Sequence, residues 1–185
     1  MSYDTWIHRV SRLAVRPLQN TRVTPNHLTT GRLASGVIAA ICFSLDSTAG
    51  NITGAILFLF SMLLDRADGE LARIQGSSSR FGAYYDLATD AIVNIFIFLA
   101  LGISAQDGWM GSLAIPASIL SGICISVIFL LIIIVEIRLG QGSAAFTGYA
   151  GFDPDDAMIV IPIGVVLGIG DLLLAAAAIC TPVAM

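Results

Sequence analysis

From Trp109 to Val135 the chain carries no charged residue, and Gly50–Leu64 and Ala91–Ile103 are equally free of charge. A helix needs about 20 apolar residues to cross a bilayer, and a helix that is greasy on every side belongs in lipid or in a large core. In lipid, every backbone N–H and C=O must be paired inside the protein, which leaves helices or closed barrels. These runs are continuous rather than alternating, so helices are expected. The fold class predicted is all-α: a polytopic membrane helix bundle of about six transmembrane helices, preceded by an amphipathic interfacial helix. A mean hydropathy of +0.86 and a hydrophobic content of 56% agree with that.

The ends of the spans are marked. Thr24 can cap the first and Pro25 suits its opening turn, so a helix is expected from about His27 to Leu45. His27 reads as a polar residue at that helix end. A second span begins at Gly50 and continues as a helix through Ile74. The turn "QGSSSR" leads to a third at Phe81–Ile103, and "SAQDG" to a fourth at Trp109–Val135, with a kink at Pro116. Within the fourth, Ser118, Gly122 and Ser126 form a small-residue stripe suited to close packing inside the chain. Pro154 restarts a helix after a polar loop, with Asp155 and Asp156 at its positive end. Ala157–Met185 reads either as one long tilted span or as two short ones broken at "GIGD". Ahead of the spans, residues 3–17 put Tyr3, Trp6, Ile7, Val10 and Leu13 on one helical face and Arg9, Arg12 and Arg16 on the other. That suits a helix lying in the headgroup plane. The early arginines interrupt any apolar core a cleavable signal would need. With no linker or internal repeat, one domain is expected over 1–185: an interfacial helix at 1–22 and the bundle over 24–185.

All nine basic residues are arginines, at 9, 12, 16, 22, 32, 66, 73, 80 and 138. If the spans alternate, the loops around 46–50, 104–108 and 169–171 share one side and hold Asp46, Asp107 and Asp171 but no arginine. The arginine side is then cytoplasmic, which fits an integral protein of a bacterial-type inner or cell membrane. Cys42, Cys124 and Cys180 have neither disulfide nor zinc spacing and are expected to be buried thiols.

Against this apolar background, Asp65, Asp68, Asp86 and Asp90 fall at the cytoplasmic ends of spans two and three. At 100° per residue, Asp65, Asp68 and Ala72 share one helix face, and Gly82, Asp86 and Asp90 share another. A short turn makes the two helices antiparallel neighbours, so these faces can oppose each other. Ionised carboxylates at such depth cost several kcal/mol each, by order of magnitude, unless compensated. Arg66, Arg73 and Arg80 can neutralise some of them. Oxygen-only ligands, without His or Cys, favour Mg2+, Mn2+ or Ca2+. Gly69, Ala72 and Gly82 strip bulk from beside the acids, so that backbone can approach a phosphorylated ligand. A cation-binding membrane transport protein is the competing reading of the same acids.

The pattern Asp65-x2-Asp68-Gly69-x2-Ala72-Arg73-x8-Gly82-x3-Asp86-x3-Asp90 resembles the signature of the CDP-alcohol phosphotransferases, also called CDP-alcohol phosphatidyltransferases. These are integral membrane enzymes of phospholipid synthesis. The resemblance implies transfer of a phosphatidyl or substituted phosphoryl group from a CDP-linked donor to an alcohol acceptor, with release of CMP. It implies two divalent cations, Mg2+ or Mn2+, held by Asp65, Asp68 and Asp86, with Asp90 as a further ligand. Gly69, Ala72, Arg73 and Gly82 would hold the cytidine diphosphate, and Asp90 would be the general base. It also implies a homodimer among membrane lipids, and no nucleic-acid partner is expected. Family members that use a phosphorylated acceptor carry several basic residues near spans four and five. Here the 136–156 loop has only Arg138 beside Glu136, Asp153, Asp155 and Asp156, with Arg32 able to contribute from elsewhere, so an acceptor without a phosphate is expected.

Overall fold

The computed structural model describes residues 15–18, 21–77, 79–139 and 154–184, and its regular structure there is helical throughout. Six α-helices follow in order: α1 Pro25–Ser44, α2 Thr48–Gln75, α3 Arg80–Ser104, α4 Ala114–Leu139, α5 Val160–Val166 and α6 Gly170–Ala184. Short 3-10 turns at Ala105–Asp107, Gly111–Leu113 and Pro154–Ile159 join them. The stretches Thr48–Gln75, Arg80–Asp107 and Gly111–Val135 are long and apolar enough to cross a membrane, whereas the helices after Ala157 are shorter.

Local chemistry sets the helix ends. The Thr24 N–H donates to His27 Nδ1 at 3.2 Å, and Pro25 occupies the first turn of α1, where a missing N–H costs nothing. His27 therefore serves the helix end. Ser47 and Ser79 cap α2 and α3 by accepting from Gly50 N–H at 3.1 Å and Gly82 N–H at 3.0 Å. Gly76 closes α2 in the left-handed conformation, φ 59°, which a side chain would oppose.

α1 lies against both α2 and α3, and α4 packs on α3. Phe43, Phe58, Ile97, Leu101 and Leu174 fill the shared core. Small residues let the backbones close in. A Cβ on Gly36 would sit 2.8 Å from Val93 and 3.1 Å from Ser61, and one on Gly122 would sit 3.1 Å from the Ile95 Cα. The Ser118–Gly122 part of the stripe thus packs within the chain, with Ser118 fully buried. Val15 is buried against Ala67 and Leu71 on α2. Arg16–Leu18 form a 3-10 turn, and residues 3–14 of the expected interfacial helix lie outside the described residues, as do the side chains of Glu136, Arg138, Asp155 and Asp156 and all of Asp153.

Two expectations change, and one open alternative is decided. Pro116 makes no kink, because α4 begins at Ala114 and the proline falls in the first turn, where no intrahelical bond is lost. The carboxy-terminal stretch is two helices, not one. Gly168 adopts φ 74° and ends the turn after α5, which fits the "GIGD" break. Of the cysteines only Cys124 is buried; Cys42 is half-buried and Cys180 exposed. A thiol on an outward face of an apolar helix needs no protein cover if lipid supplies it.

The loops expected to share one end do meet. Ser104 Oγ donates to Asp46 Oδ1 at 2.9 Å, and Gly108 lies against Asp171.

Candidate functional site

The aspartate-bearing faces of α2 and α3 oppose each other as their spacing requires. Carboxylate oxygens of Asp65, Asp68 and Asp86 lie within 4.8 Å of one another. Asp68 is 5% exposed, and its Oδ2 accepts from Thr29 Oγ1 of α1 at 2.6 Å. Asp90, one turn farther along α3, is not part of that group. Its Oδ1 pairs with Arg32 Nη2.

Arg32 is what the sequence reading underrated. Its side chain is 8% exposed, and its Nη1 pairs with Asp65 and donates to Asp86 Oδ1 at 3.0 Å. One guanidinium therefore faces aspartates on two helices. The compensating charge expected from Arg73 goes elsewhere: its side chain is 65% exposed and its guanidinium pairs with Glu70 at 3.2 Å. A lone arginine inside an apolar span was the available signal for Arg32, since such a charge is retained only where it has a partner. Thr29, three residues earlier on the same helix face, is uncharged and gives no such signal.

Beside the carboxylates opens a cavity of about 450 Å3, lined by Asp68, Gly69, Ala72, Arg73, Gly82 and Asp86 among others. Its volume falls within the range of small-ligand sites, roughly 300–1,000 Å3. Gly69 has a distinct part in it. A Cβ added there would meet nothing within 4 Å, so this is no packing glycine; its bare face is turned to open space. At Gly82 a Cβ would crowd Ser79 at 3.1 Å and Asn26 at 3.3 Å. A smaller cavity of about 30 Å3 touches Asp65, Asp90 and Arg32 and is otherwise lined by Phe58, Ser61, Met62, Val93, Asn94, Phe129 and Met158. Asp68 and Asp86 thus border one opening, while Asp65 and Asp90 border the other.

A putative cardiolipin synthase of Mycobacterium tuberculosis is 36% identical over 92 residues, 49% of this chain and 43% of that protein. A phosphatidylinositol phosphate synthase of Corynebacterium glutamicum is 34% identical over 80 residues, 43% of this chain and 36% of that protein. The chain thus spans less than half the length of these curated relatives. Among solved structures, the crystal structure of the M. tuberculosis phosphatidylinositol phosphate synthase with CDP-DAG bound superposes with a TM-score of 0.69. It covers 95% of this chain and 91% of that one at 23% identity, which establishes a shared fold. The sequence pattern of the CDP-alcohol phosphatidyltransferases extends well past the aspartates, over residues 22–183, and the chain belongs to that family.

Proposed function

We propose that this protein transfers a phosphatidyl or substituted phosphoryl group from a CDP-linked donor to an alcohol acceptor, releasing CMP, in phospholipid biosynthesis. The observation that carries the reading is convergence: Asp68, Gly69, Ala72, Arg73, Gly82 and Asp86 line one cavity. Family membership leaves the transport alternative without support.

The donor set suits the cations the family implies. Three carboxylates within 4.8 Å, with no softer ligand among them, match Mg2+ or Mn2+. Asp65, Asp68 and Asp86 would hold them, and two ions are proposed. Bound there, divalent cations offset pyrophosphate charge and stabilise the departing CMP. The chain's own groups do the rest. Gly69 and Ala72 leave room for the donor to lie close to α2, while Gly82 lines the same cavity from α3 and lets Ser79 and Asn26 pack against its bare face. Arg73, at the exposed rim, supplies a charge for the diphosphate. Asp90 takes the acceptor's proton: its carboxylate stands outside the three-aspartate group, and Arg32 holds it in place. The alcohol oxygen bonds to the β-phosphorus, the bond to the CMP oxygen breaks, CMP keeps the electron pair, and Asp90 receives the proton. Such a displacement asks mainly for alignment and charge stabilisation.

We propose an acceptor without a phosphate. The cavity beside Asp90 is small, its lone basic lining residue among those described is Arg32, and that guanidinium already faces three aspartates. The protein is a membrane protein, by its apolar helices and its family. We propose that the site faces the cytoplasm, since Arg73 and Arg80 lie at its end and Asp46, Asp107 and Asp171 at the other. A homodimer is carried forward from the family resemblance.

CMP release by purified protein in detergent with Mg2+ or Mn2+ tests the proposal, with CDP-diacylglycerol, CDP-choline and CDP-ethanolamine each set against a panel of alcohols. Acceptor-dependent release is expected from one pair; no release, together with no CDP binding, would overturn it. Thr29→Val should weaken Mn2+ binding about tenfold to a hundredfold by freeing Asp68 from its hydroxyl partner. Calorimetric titration reads this directly, and an unchanged affinity would argue against Asp68 as a ligand.

A further inference from the structure

We infer that Arg32 is the resident counter-cation of the carboxylate site: it holds Asp65, Asp86 and Asp90 together before divalent ions arrive, lowers the affinity for those ions, and fixes Asp90 in place. The inference rests on the metal-site reading above and adds a residue outside the family signature.

Arg32 is the only Arg, Lys, Asp or Glu in α1. An arginine whose side chain is 8% exposed inside an apolar bundle is retained only if its partners repay desolvation. Its partners are three aspartates on two different helices. Without it, those carboxylates and Asp68 would face one another with less positive charge among them. A planar guanidinium suits the task better than an ammonium, because its N–H groups point in several fixed directions at once. Here Nη1 serves Asp65 and Asp86 while Nη2 serves Asp90. The residue is also anchored from behind. Ser61 Oγ donates to the Arg32 carbonyl at 2.9 Å, and the close approach at Gly36 locks α1 against α2 and α3 one turn further on.

Two effects follow from the placement. A fixed positive charge among the ligands repels an incoming dication, so the site binds metal more weakly than its carboxylates alone would. The same charge, through Nη2, occupies one oxygen of Asp90 and leaves the other for the acceptor's proton. Arg32 is thus a positioning residue, acting through the aspartates.

The test is Mn2+ titration of detergent-purified wild type, Arg32→Gln and Arg32→Lys without donor or acceptor, followed by kinetics. Arg32→Gln should bind Mn2+ about tenfold more tightly or better. Its thermal midpoint without cation should be lower than wild type, and its rise on adding Mn2+ larger. A merely structural arginine would not produce that larger rise. Arg32→Lys keeps the charge, so its Mn2+ affinity should stay within about threefold of wild type. It should lose kcat with little change in the KM for the donor, because an ammonium cannot hold Asp90 and the other two together. Equal or weaker Mn2+ binding by Arg32→Gln would overturn the inference while leaving the transferase reading intact. Failure to recover folded Arg32→Gln even when Mn2+ is present throughout purification would overturn it too. Absence of Mn2+ binding by wild type would remove the metal reading, and this inference with it.

Discussion

Asp68→Asn is expected to lower CMP release on the order of a thousandfold or more while the protein stays folded. The expectation follows from the aspartate's surroundings. Asp68 is buried and takes one hydrogen bond, from Thr29 at 2.6 Å. An asparagine oxygen can accept that bond, and its volume is nearly the same. What it removes is charge, from a place where Asp65 and Asp86 lie close enough to repel it. The variant should therefore melt at or above the wild-type temperature in the absence of metal, yet lose Mn2+ affinity and turnover together. Asp86→Asn should likewise lose Mn2+ affinity and turnover, although it also gives up an ion pair with Arg32. Full activity in both variants would rule out the carboxylate group as the metal site.

Asp90→Asn should cut kcat by about 100- to 10,000-fold, the usual contribution of a positioned base, and leave donor binding near wild type. The side chain pairs with Arg32 and is not among the residues lining the larger cavity. Its loss should be felt by the alcohol rather than by the cytidine diphosphate. Equilibrium binding of CDP in the presence of Mn2+ separates the two. If Asp90→Asn abolishes CDP binding, Asp90 is chiefly a ligand, and the base must be sought elsewhere around the smaller cavity.

The hairpin of α2 and α3 was legible because its information is local. Ser47, Gly76 and Ser79 each fix a helix end through bonds to residues three or four positions away. The intervals between the aspartates set their faces directly. Arg32 and Thr29 were not legible as partners of those aspartates. Arg32 lies 33 residues from Asp65 and 54 from Asp86, and no periodicity connects them. Only the packing of α1 between its two neighbours brings them together, through small residues such as Gly36 whose contacts the sequence does not announce. Pro116 shows the same limit on a smaller scale: its effect depends on where α4 begins, and the glycine and tryptophan before it do not fix that point. The "GIGD" break was visible as an option. A positive φ at Gly168 decides it, and residue type alone permits that conformation without requiring it.

The span from Gly111 to Val135 keeps only 22% of its most apolar window inside the protein. Outward positions such as Ile119, Leu120 and Ile123 need only remain greasy, and leucine, isoleucine, valine and phenylalanine serve that need almost interchangeably. Ser118 and Gly122, on the inward side, have no such freedom. Descent can therefore rewrite much of this helix at little cost and hold a few small residues still. A lineage under that regime can drift far in wording while its backbone stays in place.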